Sequence, residues 1–148
     1  MLNLQLPATK DESTLALLRE IDKQGELNTN PDACFWLGSV STENKEAFQS
    51  FLKAAEEENL QELMKHSAIG ANVAYAVLAR DSRSETRFHL FVIESGGGLW
   101  TTPKFLLGRP LSMEYSVTTK PSTPVPDGIE THPRLELWKS FIGGFFRK

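Results

Sequence analysis

Three consecutive glycines, Gly96-Gly97-Gly98, run off an apolar segment into Leu99-Trp100-Thr101-Thr102-Pro103. Glycines so placed can let backbone N–H groups converge on a phosphate. That chemistry needs a helix N-terminus and the spacing Gly-x-Gly-x-x-Gly or Gly-x-x-x-x-Gly-Lys-Ser/Thr. Neither spacing occurs, and two threonines followed by a proline read as extended or turning chain. The run is read as a flexible reversal between strands, or as an adaptable loop that shows Trp100 to a partner.

Nucleophile chemistry has few footholds. Ser50-Phe51-Leu52-Lys53 has the letters of Ser-x-x-Lys but lies inside an amphipathic helical pattern, and no Gly-x-Ser-x-Gly elbow occurs. Cys34 stands alone, so no intramolecular disulfide and no multi-cysteine metal site can be built. Its neighbours Phe35, Trp36 and Leu37 suggest a core strand, where a thiol acts as a small hydrophobe, and a dyad with His89 would require that thiol to leave the core. The histidines His66, His89 and His132 are too far apart in sequence for a His-x-x-x-His or His-Glu-x-x-His site. Glu94 and Glu114 fall on expected strands and either face each other or lie at wet sheet edges. No catalytic residue, metal site or cofactor is assigned.

The elements that would position these groups fit one domain. A chain of 148 residues, 40% hydrophobic and 24% charged, is ordinary for a soluble globular protein. No apolar run approaches the roughly 20 residues that cross a bilayer, and Met-Leu-Asn-Leu-Gln-Leu-Pro lacks the basic start of a secretory signal, so a cytoplasmic setting is expected and membrane contact is not. The net charge of -3 is uneven: residues 1–66 carry 6 basic and 12 acidic side chains, residues 67–148 carry 10 and 7. The split fits solvated helix faces or a helical layer that meets a basic partner.

Thr9 and Glu12 have capping-box spacing before Leu15, Leu18 and Ile21, and Gly25 follows as a stop. A buried strand is expected at 34–40. Ser41 or Thr42 then caps a helix bearing Phe48, Phe51, Leu52 and Ala55, and Asn59 and Glu62 open a second, short helix with Leu60, Leu63 and Met64. Three glutamates at the joint, Glu56-Glu57-Glu58, exclude a nucleic-acid reading of this helix pair. Residues 72–80 are apolar on both faces, as a central strand is; 86–93 alternates Phe88, Leu90 and Val92 against Arg87, His89 and Phe91; and 81–85 joins the two as a hairpin. A further strand at 112–119 turns Met113, Tyr115 and Val117 inward.

A proline-rich linker at about 121–128 precedes a last amphipathic segment with Leu135, Trp138, Phe141, Ile142 and Phe145 on one face. The expected fold is a single α+β domain over 1–148, an antiparallel sheet of about four strands with helices packed on one face. Two functions compete. One is a protein-binding module of adaptor, regulator, chaperone or antagonist type, with Trp100, Trp138, Phe141 and Phe145 as partner contacts and self-association as a variant of it. The other is a small-ligand or catalytic domain whose pocket uses Tyr75, His89 and Tyr115.

Overall fold

The computed structural model describes residues 2–9, 12–70, 72–94 and 104–120. In chain order these form β1 (Leu2–Leu6), α1 (Glu12–Ile21), β2 (Leu27–Asn28), a 3-10 turn (Pro31–Ala33), β3 (Cys34–Ser41), α2 (Lys45–Glu56), α3 (Leu60–Leu63), β4 (Val73–Asp81), β5 (Phe88–Glu94), β6 (Lys104–Pro110) and β7 (Tyr115–Thr119). β3, β4, β5 and β6 pair antiparallel in that order, and β2 lies beside the end of β4. β1 and β7 form a parallel ribbon. It joins the sheet on both sides, through an Ala8–Phe35 bridge and through the Tyr115 N–H donating to the Thr86 carbonyl at 2.8 Å, so the sheet curls.

The expected antiparallel α+β architecture is present. Its helices divide between the two faces of the sheet, and β4 explains why. Ala74, Ala76 and Leu78 point to one side and Val73, Tyr75, Val77 and Ala79 to the other, all within 1% of full burial. Both sides must be covered, because apolar surface left in water costs about 25 cal/mol per Å². α2, α3 and the β1–β7 ribbon cover the first side with Phe51, Leu63, Leu4, Leu6 and Tyr115. α1 covers the second with Leu15, Leu17 and Leu18.

Local chemistry sets the element ends. Asn44, not Ser41 or Thr42, caps α2: its Oδ1 accepts from the Ala47 N–H at 3.2 Å. Ser41 instead extends β3 by one residue. Asn59 caps α3 through the Glu62 N–H, as its spacing suggests. Thr9 makes no cap among the described residues; its N–H donates to the Cys34 carbonyl, which continues the N-terminal ribbon along β3, and its hydroxyl is buried without a partner. Gly25 takes φ +72 in the turn after α1, a left-handed conformation that favours glycine.

Glu58 is the one non-glycine with positive φ among the described residues, at 58°. Its carboxylate repays that strain by clamping a distant loop: it accepts from Arg109 Nη2 at 2.8 Å and from the backbone and hydroxyl of Ser112. The Ser112 hydroxyl leads in holding the Glu58 carboxyl below its ordinary pKa. So the third glutamate of the helix joint faces the β6–β7 connection.

Met113 is 47% exposed, whereas Tyr115 is buried and Val117 half-buried, so the inward face of the last strand begins two residues later than its alternation suggests. No helix among the described residues is long and apolar enough to cross a membrane. The proline-rich linker and the amphipathic C-terminal segment lie outside the described residues.

Candidate functional site

The site lies where β4 and β5 meet the turn after α1. Asp81 is the last residue of β4, and its N–H donates to the Arg87 carbonyl at 2.8 Å to close the hairpin. Across that hairpin His89 Nε2 sits 3.0 Å from Asp81 Oδ2. Arg83, two residues on, donates its backbone N–H at 2.8 Å and its Nε at 3.2 Å to Oδ1, and its Nη2 at 3.3 Å to Oδ2. The Arg83 side chain above all, and the His89 ring with it, hold the Asp81 carboxyl well below the usual carboxylate range against the opposing effect of burial. An ionised carboxylate offers only acceptors, so Nε2 carries the ring proton; neutral His89 then has Nδ1 as its acceptor.

This imidazole forms the junction of two open clefts. One, of about 350 Å³, is floored by Phe91, Ile21 and Leu27 and walled by the turn after α1 and by Gly108 to Pro110 of β6. The other, of about 420 Å³, includes Asp81, Arg83, Ser84 and Arg87. Glu26, His89 and Pro110 belong to both. Gly108 keeps the floor bare, since a Cβ there would come within 3.0 Å of the Phe91 ring. Phe91 stacks edge-to-face on Phe105 at 5.8 Å between centroids and 84° between planes. Phe105 is 36% exposed, so the aromatic surface continues out along β6. The outer edge of β6 takes no backbone partner among the described residues. A third hollow lies over the solvated side of α2, between Asn44, Lys53, Glu62 and His66.

Of the residues expected to bind a small ligand, the structure brings only His89 to a cleft. Tyr75 is fully buried under α1, its hydroxyl 3.3 Å from Thr14 Oγ1. Tyr115 is 2% exposed on the opposite side of the sheet. The three therefore do not line one pocket. Trp100, Trp138, Phe141 and Phe145, the expected partner contacts, lie outside the described residues, as does the glycine run. The described strands on either side of it, β5 and β6, pair antiparallel, Glu94 against Lys104.

Geometry also closes other possibilities. Cys34, Ala79 and His89 stand in register on three adjacent strands, which places Cys34 and His89 about 10 Å apart. Cys34 is fully buried, and burial pushes its thiol up to about 12. It is a core residue, out of reach of a base. Glu94 stands opposite Ala74 and Lys104, and Glu114 precedes β7, so these carboxylates do not face each other. Among the described residues no cluster of His, Cys, Asp or Glu has the arrangement to hold a metal ion.

Sequence reasoning placed His89 on the same face as Phe91 but left Asp81 in the connector. The hairpin at 81–85 carried the missing signal: a tight reversal after Asp81 puts its side chain diagonally across from His89. The chain matches no protein-family model, and no curated protein or solved structure is similar to it.

Proposed function

We propose that this protein is a protein-binding module, acting as an adaptor, regulator, chaperone or antagonist, and that it holds a segment of another protein in the cleft over His89 and Phe91. The observation that carries this reading is the cleft's construction: an apolar floor left bare by Gly108, open to solvent, with a fixed polar group at one end. Open apolar surface with a few anchored polar groups suits a polypeptide segment laid across it. The adjoining exposed Phe105 is the aromatic type that dominates interface energetics. A cytoplasmic setting goes with this reading, since the single cysteine is a buried thiol that needs no oxidising compartment.

A second reading, a small-ligand or catalytic pocket, is favoured by the Asp81–His89 pair, whose orientation leaves Nδ1 able to accept a proton. The two separate on blocking variants. Random dodecapeptides displayed on phage and selected on the full-length protein are expected to yield binders that compete with one another. Gly108→Trp or Gln24→Trp, each filling the cleft, should weaken those peptides at least tenfold without lowering the melting temperature of the Gln24 variant. Gln24 is exposed in the turn, so it tests the cleft even if Gly108→Trp displaces Phe91. Peptides that ignore both variants would overturn the proposal.

A further inference from the structure

The polar group at the end of the cleft can read one feature of an occupant. Charge is not that feature. Arg109 turns away to Glu58 and the Glu56 carbonyl. The other ionised side chains that line the two clefts are Lys23, Arg83 and Arg87 against Asp22, Glu26 and Asp81, which balance. What remains is the hydrogen bonding left open. Among the described lining residues with polar side chains, only Asp81 and His89 are more than nine-tenths buried, at 7% and 8% exposure. Asp81 spends both its oxygens on Arg83 and His89. His89 spends Nε2 alone. Its Nδ1 takes no hydrogen bond among the described residues and is not sealed from solvent.

From this we infer that His89 is the specificity-determining residue of the cleft: its Nδ1 accepts from an uncharged N–H or O–H group of the bound segment, beside an apolar side chain on Phe91, Ile21 and Leu27, and protonation of the ring releases that segment. The inference rests on the protein-binding reading above and deepens it. Asp81 fixes the sense of the bond, because its ionised carboxylate keeps the proton of the neutral ring on Nε2 and leaves the lone pair on Nδ1. A buried acceptor rejects an occupant that brings it no donor. Acid reverses the preference. Protonated Nδ1 would face the occupant's donor with a donor of its own and would add a positive charge to a balanced cleft. Among the side-chain types that line the clefts, only imidazole titrates between carboxylates, at about pH 4, and lysine, at about pH 10.

The test takes from the selected pool a capped peptide that Gln24→Trp weakens and that contains no histidine. Its dissociation constant on the full-length protein is measured from about pH 5 to pH 8.5, and the ring C–H signals of His89 are followed by NMR in the free and the saturated protein. Affinity should hold above the midpoint of the free ring's titration and fall by up to tenfold per pH unit below it. The midpoint of the ring should drop by at least one unit in the complex. His89→Phe should weaken the peptide at least fivefold and remove the pH dependence; the wild-type titration decides the matter even if that variant does not fold. Affinity that stays flat across the range, for a peptide that Gln24→Trp does weaken, would overturn the role of His89 and leave the binding cleft standing. Affinity that rises in acid would overturn it as well, since the ring would then be donating from Nδ1. Peptides untouched by Gln24→Trp would overturn both readings.

Discussion

Replacing Gly38 by alanine should cost the fold more than about 3 kcal/mol, a large share of the roughly 5 to 15 kcal/mol that holds an ordinary domain folded. A Cβ at this position would lie 2.1 Å from the Leu63 carbonyl oxygen, 2.9 Å from its carbon and 3.1 Å from the His66 carbonyl oxygen. All three are backbone atoms, and they cannot retreat. The segment after α3 is tied to β3 by the Ser39 N–H to the His66 carbonyl at 3.0 Å, the Ala68 N–H to the Ser39 carbonyl at 3.1 Å, and the Ser39 hydroxyl to the Ala68 carbonyl at 2.6 Å. The register shift between Trp36 and Gly38 brings the strand into this close contact. Urea denaturation of the variant measures the cost; a midpoint unchanged from wild type would show that α3 does not press on β3 as described.

The second large effect concerns Asp81. Its loss in Asp81→Ala leaves the buried edge of His89 without its acceptor and undoes the hairpin turn, at a cost of about 1 to 3 kcal/mol, while the exposed Arg83 guanidinium turns to water. The acid dependence has a definite sign. The folded-state pKa of Asp81 is lowered, so its contribution is complete above the unfolded carboxylate value of about 3.9 and is lost as pH falls toward the folded value. Glu58 is shifted in the same direction, so the informative quantity is the difference between variants. The gap in stability between wild type and Asp81→Asn should close progressively below about pH 4. A gap that did not change with pH would mean that the carboxylate charge is not what Arg83 and His89 hold.

Much of this fold was legible because its strongest patterns are local. The unbroken apolar run at 72–80 announced a strand buried on both sides, although the helices were expected on one face; the run is covered on its second side by α1, opposite α2 and α3. The hairpin, the alternation of β5 and the Asn59 cap all follow from neighbours in sequence. Three strands escaped for physical reasons, and one of them, β2, is only two residues long. β1 alternates Leu2, Leu4 and Leu6 over only five residues, and its partner β7 is more than a hundred residues away. β6 contains Gly108 and Pro110 and carries a register shift opposite Val92 and Ile93, so its alternation slips and its breakers hide it. Those same irregularities make the cleft. Gly108 was unreadable as a strand residue and is the position that bares Phe91. The charge pairing was equally hidden, since Arg83 meets both Asp81 and Glu26 only once the hairpin stands beside the turn after α1.

The central claim, that the cleft between the α1 turn and β6 is the binding surface, is tested most directly by amide chemical-shift mapping. ¹⁵N-labelled full-length protein would be titrated with the tightest capped peptide selected on it. Saturable shifts should concentrate at residues 21–27, 87–91 and 108–110, and vanish in Gln24→Trp. Shifts confined to the solvated face of α2, or absent from β5 and β6 at saturation, would contradict the account.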